Sequence, residues 1–467
     1  MGNPKSQIPN PKWAGGWPFL IPHSQFWSRP LSARYDSSML RRVLTTLGFF
    51  AAIARDLAGT LRARWRRFQR RVVLAEEVAV VGVDAHPFFE NMTGVGWYEW
   101  NLLAALDRRD DGLSYNLYAR TFLAPDEPPP PAMPGTRHMR LRVHQIPAGF
   151  LLPVRPTQQV LRWVVEPLLR LFDGNDVLFA PNFFLHGEQE PFGRAQVATV
   201  HDLAFAAMPE TVAPETLAGL RRRLPRTLCH ADRLIAVSDA TAHEIEDRLG
   251  FDRRLIHTIH EGIDPDLFPD TGETGGLPER YLLFVSTLEP RKNVVGVLRA
   301  FALLKEWGYP GELVLVGRWG WRTEAIRHEL EASPARPWVR HLDYVDRCRL
   351  GTLYRGADAL LFPSWIEGFG LPLLEGMACG TPVITSGTSA MPEIAGPAAV
   401  YVDPSSPHGI ASATAALLAD SGHRERLVAL GRERAARFSW ERAAEATAAV
   451  LRRTAGLPAG GPEEYRA

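Results

Sequence analysis

Between residues 78 and 259, short apolar runs recur at 78–83, 176–180, 197–200, 234–237 and 255–259, each bounded by charged or loop-forming residues. Uninterrupted runs of this length predict strands buried on both faces, as in a parallel sheet. Segments with helical spacing separate them, notably 97–106, 216–229 and 240–249. Such alternation predicts a doubly wound α/β sheet. A second set of strands is predicted at 281–285, 313–316, 339–342, 359–362, 382–385 and 399–402, again interleaved with helices. The stretch 270–277, Asp-Thr-Gly-Glu-Thr-Gly-Gly-Leu, is polar and without periodicity, and divides the two sets. The Pro-rich segment 125–134 is expected on the surface as a loop. No short exact repeat links the halves, which are alike in pattern only.

The predicted organisation is a basic extension over 1–75, an α/β domain over 76–270, a second over 278–435, and a C-terminal helix and tail over 436–467. That last helix begins at Phe438-Ser439-Trp440 and is expected to cross back to the first domain.

The extension has its own pattern. Leu40, Val43, Leu44, Leu47, Phe50, Ala51, Ala54, Leu57, Leu61, Trp65 and Phe68 fall at the spacing of one helix face, with Arg41, Arg42, Arg55, Arg62, Arg64, Arg66, Arg67, Arg70 and Arg71 around them. An apolar face flanked by arginines suits the surface of an anionic bilayer, so a peripheral membrane contact through residues 40–71 is one expectation. A helix packed on the protein's own body, or a disordered leader, fits the same pattern.

Charge sharpens this division. The 467 residues carry 53 Lys plus Arg against 52 Asp plus Glu. Residues 1–71 alone hold thirteen Lys/Arg against Asp36 and Asp56, a local charge of +11 that leaves −10 for the rest. The near-neutral total argues against nucleic acid as a partner. Cys229, Cys348 and Cys379 lie far apart with no CxxC pair, which disfavours a disulfide framework or zinc site and fits a reducing cytoplasm. The longest apolar run, 43–54, is about twelve residues and interrupted by Thr45, Thr46 and Gly48, so neither a spanning helix nor a signal peptide is expected.

In open parallel sheets ligands bind beyond the carboxyl ends of strands. The loop after 359–362 reads Pro-Ser-Trp-Ile-Glu-Gly-Phe-Gly-Leu-Pro, placing a Gly-rich turn before a helix with Pro372 in its first turn. Such a turn can receive an anion or hydroxyl groups. Glu367 and Glu375 are eight positions apart on this loop and helix, and carboxylates accept hydrogen bonds from sugar hydroxyls. A solvated helix start would also explain both glutamates. Arg291 and Lys292 follow the strand 281–285, where fixed cations could stabilise charge on a departing diphosphate.

This stretch resembles the retaining nucleotide-sugar glycosyltransferases of family four. Further segments of the same resemblance are Val83-Asp84-Ala85-His86-Pro87-Phe88-Phe89-Glu90-Asn91-Met92-Thr93-Gly94-Val95-Gly96, Val200-His201-Asp202-Leu203, Ala236-Val237-Ser238 and Glu289-Pro290-Arg291-Lys292-Asn293. It implies the GT-B fold, two Rossmann-like doubly wound domains facing across a cleft, and transfer of a hexose with retained anomeric configuration. It also implies roles. Glu367 would lie by the donor sugar and Glu375 would hold the ribose hydroxyls. The backbone of Phe369, Gly370 and Leu371 would contact sugar and diphosphate, with Ser286 also in the donor site. Lys292, with Arg291, would neutralise the diphosphate, and His201 would lie by the reacting sugar. Gly94 and Gly96 permit close backbone approach from the opposing domain, although a plain tight turn is a serious rival and Glu99 breaks any dinucleotide fingerprint.

Asp202 is expected to order its loop. Glu261 stands where many relatives have Asn, so no role is carried over to it. Asp264-Pro265-Asp266 superficially matches a metal-binding Asp-x-Asp, but Pro265 favours a turn, and no metal or other cofactor is expected. Arg318-Trp319-Gly320-Trp321 and the 343–347 loop are expected beside the donor and its base. The expected partners are a nucleotide-diphosphate sugar, mannose being one candidate sugar, and a lipid-linked or cell-envelope saccharide acceptor at the inner membrane face. A soluble glucan or small-molecule acceptor, or a non-catalytic sugar-nucleotide-binding subunit, are the alternatives.

Overall fold

A computed structural model describes residues 37–74, 76–85, 94–118, 122–126, 137–184, 195–269 and 276–458. The motif segment 86–93, most of the Pro-rich segment, residues 270–275 of the divide and both chain ends lie outside the described residues.

Two parallel sheets carry the fold. In the first, the order across the sheet is Met139–Leu141, Leu113–Tyr118, Ala79–Asp84, Val177–Ala180, Ala195–Val200, Arg233–Ala236, Ile256–Thr258. In the second it is Val339–Leu342, Glu312–Val316, Tyr281–Val285, Ala359–Phe362, Val383–Ser386, Ala399–Val402. The second sheet therefore has the doubly wound order 3-2-1-4-5-6. Its crevice opens between Tyr281–Val285 and Ala359–Phe362, where the winding reverses. The matching reversal in the first sheet lies between Ala79–Asp84 and Val177–Ala180. Central strands are buried along their whole length, as the apolar runs require.

The pattern missed the strands Leu113–Tyr118 and Met139–Leu141 and the small pair Phe122–Leu123 and His144–Gln145. Leu113–Tyr118 alternates buried and half-buried positions, and Met139–Leu141 is an edge, so neither presents a continuous apolar run. A helical segment was also missed: Val154–Val160 passes through a five-residue π turn, Leu161–Val165, into Glu166–Asp173. Pro156 and Pro167 punctuate its sequence: Pro156 falls in the first turn, where a missing N–H costs nothing, and Pro167 follows the π turn, where the regular hydrogen-bond ladder is already interrupted.

The extension forms one 36-residue helix, Ser37–Val72. Its length and composition would suffice to cross a membrane, but one face is docked on the first lobe. Phe49 and Ile53 share a small core with Phe122, Ile146, Phe150, Leu161 and Leu169. Asp56 pairs with Arg140 and with Arg142, the latter at 2.5 Å, while Arg142 also holds Asp173 at 2.6 Å. Arg142 and Asp173 are buried and Asp56 and Arg140 partly so, and charges joined in this way satisfy one another and fix the helix's register on the lobe. Packing on the protein's own body is thus realised by this inner face.

The last helix, Trp440–Thr454, returns to the first lobe. Ser439 caps its start by accepting the N–H of Arg442. Its Trp440 meets Tyr98 edge-on at 5.9 Å, and Arg452 pairs with Glu77 at 2.6 Å. Gly262 lets the crossing happen, since a Cβ there would come within 2.2 Å of the Trp440 backbone nitrogen.

Candidate active site

At the carboxyl end of Tyr281–Val285, the chain passes Ser286 and enters a short 3₁₀ turn, Pro290–Lys292. Asn293, left-handed at φ 58°, redirects the backbone into Val294–Glu306. Its side-chain amide donates to the carbonyls of Pro363 at 3.0 Å and Pro404 at 2.8 Å, which ties the cationic turn to the glutamate loop. After Ala359–Phe362 that loop runs to Gly370, whose φ of 101° suits glycine, and into the helix Leu371–Cys379. No side chain caps this helix.

The two loops meet in a buried ion cluster. The Lys292 ammonium donates to both Glu367 oxygens, at 2.6 and 2.7 Å. Arg291 donates to Glu367 Oε2 at 3.2 Å and pairs with Glu289 at 3.0 Å. Burial alone would push the Glu367 carboxyl up, but Lys292 and Arg291 hold it below the ordinary value. Burial likewise opposes the charge on Arg291, and Glu367, Asp202 and Glu289 together outweigh it. Glu289, which the sequence marked only as part of the motif and without a role, is pushed up by burial despite its cations.

The first lobe closes directly on this cluster. Asp202 reaches Arg291 at 3.5 Å and also accepts the Ala204 N–H at 3.1 Å, so it does order its loop. Thr241 donates to the carbonyl of Gly368 at 3.3 Å from across the cleft. His201 is 7% exposed, with Nε2 on the Pro181 carbonyl at 2.8 Å and Nδ1 3.6 Å from Glu261. The residue left without a role is thus the imidazole's neighbour. Gly94 and Gly96 lie in the first turn of Gly94–Asp107. Trp97, next along, receives the Arg347 guanidinium over its ring at 4.1 Å, so this helix start faces the second lobe.

Arg291, Lys292 and Glu367 are therefore brought together, whereas His201 approaches the glutamate loop through its backbone carbonyl, beside Gly368, and turns its ring nitrogens to Pro181 and Glu261. Glu375 sits apart from them, accepting the Tyr354 hydroxyl at 2.8 Å. Burial raises its carboxyl against the pull of Arg347 and Tyr354. The Phe369 ring packs on His260 and Phe438 at 6.0 and 5.9 Å, leaving its backbone for any ligand role. Ser286 donates its N–H to Val316 and carries its carbonyl against Gly317. Asp264 accepts the Asp266 N–H at 3.1 Å in a self-capped turn, as Pro265 implied.

One interlobe contact had no sequence signal. Glu393, on Met391–Ala395 of the second lobe, accepts the N–H groups of Asp239 and Ala240 at 2.8 and 3.1 Å and meets His260 at 2.6 Å. It occupies the positive end of the helix Asp239–Leu249. Burial would raise this carboxyl, but His260 and the two backbone N–H groups keep it low. A carboxyl lowered in the closed form stabilises closure above the ordinary carboxylate range, and that contribution is lost as pH falls through the lowered value. Glu393→Gln is expected to reduce the closed population about tenfold, the scale of a charged hydrogen bond. Scattering or interlobe distance measurements would show it; an unchanged closed fraction would remove Glu393 from the closing contacts.

The profile described as Glycosyltransferase Family 4 matches residues 92–267, and that described as Glycosyl transferases group 1 matches 274–434. The O-antigen chain mannosyltransferase B of Escherichia coli is 33% identical over 284 residues, 58% of this chain and 73% of the relative. A D-inositol 3-phosphate glycosyltransferase 2 of Catenulispora acidiphila is 36% identical over 48% of this chain, and the match spans 56% of its length. Among solved structures, sucrose-phosphate synthase from Thermosynechococcus elongatus has a TM-score of 0.62 at 23% identity, covering 80% of this chain and 98% of that one. Anabaena HepE, in complex with UDP and glucose, has a TM-score of 0.59 at 17% identity, covering 80% and 99%. The chain belongs to glycosyltransferase family 4. Its fold is GT-B, and it is a glycosyltransferase.

Proposed function

We propose that the enzyme transfers a hexose, with mannose the first candidate, from a nucleoside-diphosphate sugar to a lipid-linked or cell-envelope saccharide, with retention. The observation that carries this reading is the buried Arg291–Lys292–Glu367 cluster at the reversal point of the second sheet, with Asp202 of the first lobe on Arg291 and the His201 backbone against Gly368. Mannose is favoured by the O-antigen mannosyltransferase relative, and a nucleoside-diphosphate donor by the UDP bound in the structural neighbour.

In this reading Lys292 and Arg291 supply the positive charge that the departing diphosphate needs, with no metal ion required. The acceptor hydroxyl attacks the anomeric carbon on the face that the phosphate leaves. Its proton passes to the leaving phosphate oxygen as the old C–O bond breaks and the new one forms. Glu375, on the ribose, orients the donor, and closure of the lobes keeps out the water that would otherwise hydrolyse it. The site works at the cytoplasmic face of the membrane. A panel of nucleotide sugars, read by donor consumption and by the anomeric configuration of the product, tests the proposal. Consumption of a GDP- or UDP-hexose giving a retained linkage is expected. An inverted product, or no consumption of any donor with lipid-linked or soluble acceptors, refutes it.

A further inference from the structure

The docked extension helix leaves an outer face that nothing in the chain covers among the described residues. Leu40, Leu44, Leu47, Leu61, Trp65 and Phe68 are each about half exposed. Their spacing follows two lanes of seven, 40-47-54-61-68 and 44-51-58-65-72, on the side opposite the buried Phe49 and Ile53. Beside these lanes runs a row of exposed arginines, Arg41, Arg55, Arg62, Arg66 and Arg70, the last of them paired with Glu76. The helix carries one acidic residue, Asp56, and it is turned inward to Arg140 and Arg142.

A second helical segment, which shares the small core beneath the first helix, leaves further apolar side chains exposed. Val154–Asp173 contributes Leu161 and Leu169 to the small core under Phe49 and Ile53. It leaves Val160, Trp163, Val164 and Leu168 in water, with Trp163 71% exposed. Leu151 and Leu152, just before it, are exposed too and sit by the first helix, where Leu151 donates its N–H to Thr46 and Arg42 donates to the Phe150 carbonyl. The acidic residues of this segment, Glu166 and Asp173, are buried on arginine partners.

The direction of the first helix follows from its contacts. Arg71 holds Asp176 and the Val78 carbonyl, at the amino ends of the strands. Thr60 and Asp56 meet Arg140 and Arg142, in and just past an edge strand, and Phe49 meets Phe122 and Ile146 beyond the carboxyl ends. The apolar Leu40–Phe50 end therefore lies on the side of the lobe where the active-site cleft opens. At the other end, a cavity of about 720 Å³ between helix and sheet edge is lined by Arg62, Arg66, Arg70, Arg137 and Arg140.

The geometry points to a two-helix platform that docks on an anionic lipid bilayer, with the apolar lanes and Trp163 in the acyl boundary and the arginine row on the headgroups. Charge chooses this occupant: an apolar stripe edged by cations, on a helix whose one carboxylate is turned inward, complements a negative surface. The platform deepens the proposed function by presenting the cleft to a lipid-linked acceptor, and rests on that reading for the acceptor alone.

The full chain should sediment with phosphatidylglycerol vesicles at 0.1 M salt and be released at 0.5 M, and bind phosphatidylcholine vesicles at least tenfold less. Trp163→Ser with Val164→Ser, and separately Leu44→Ser with Leu47→Ser, should each lower the partition coefficient at least tenfold while donor consumption in solution stays at the wild-type rate, which reports an intact fold. Wild-type sedimentation of both variants overturns the platform. So does equal binding to neutral vesicles, absence of binding, or a stable dimer that these substitutions dissociate, which would make a second copy the occupant. Binding without sugar transfer would refute the transferase reading and leave the platform standing; transfer without binding would do the reverse.

Discussion

Lys292→Ala is expected to lower single-turnover transfer by about a hundred- to a thousandfold, the loss seen when one fixed donor aimed at developing charge is removed. Two of the three ammonium hydrogens are committed to Glu367, which leaves the third for a diphosphate oxygen. The same substitution strands a buried carboxylate, and breaking a buried pair from one side costs about 3–5 kcal/mol when nothing compensates. Here Arg291 still reaches Glu367 at 3.2 Å, so part of that cost is recovered. The sign of the pH effect follows. Glu367 is held below its ordinary value, so its contribution to stability is present above the ordinary carboxylate range and disappears as pH falls through the lowered value. With Lys292 gone the lowering weakens, and acid unfolding should begin at higher pH. Adding Glu367→Gln to Lys292→Ala should restore much of the melting temperature without restoring turnover. Wild-type turnover in Lys292→Ala would remove the lysine from the leaving-group side of the reaction.

The strands that line the cleft were the most legible part of the chain. Tyr281–Val285 and Ala359–Phe362 begin and end where their apolar runs do, because interior strands with both faces covered admit few polar residues, and the bounds of the edge strands Val339–Leu342 and Ala399–Val402 match as well although these are only partly buried. Leu113–Tyr118 escaped because its alternation Leu-Ser-Tyr-Asn-Leu-Tyr is too short to separate from a loop. The site residues were legible as chemistry but not as partners. That Lys292 and Glu367 touch depends on the Asn293 amide joining loops 70 and 111 residues distant in sequence. Glu393 could not have been found at all, since its partners, Asp239, Ala240 and His260, belong to the other lobe and no spacing relates them. The extension helix was legible as amphipathic, yet which of its faces would dock depended on Phe122, Ile146 and Phe150, in segments whose own structure the pattern missed.

Gly368→Ala should give an enzyme that binds its donor but barely turns over. In the closed form a Cβ at this position would lie 1.6 Å from the His201 carbonyl oxygen and 2.6 Å from its carbon, far inside any tolerable contact. Both obstacles are backbone, at the end of the buried strand Ala195–Val200, so neither can swing aside as a side chain would. The clash therefore falls on the relation between the lobes. Gly368 has no left-handed φ, unlike Gly370 at 101°, so alanine fits the second lobe's own conformation without strain. Donor affinity, measured by calorimetry, should stay within a few-fold of wild type if the second lobe supplies most of the contacts. Turnover should fall about a hundredfold or more, because a displacement of about 1 Å between reacting groups already costs that much. Gly370→Ala is the informative contrast: there the strain of about 1–2 kcal/mol lies within the donor loop itself, so affinity should weaken along with turnover. A Gly368→Ala enzyme with wild-type kcat would mean that the contact between His201 and Gly368 is not made during transfer, and that the reacting geometry is reached with the lobes farther apart.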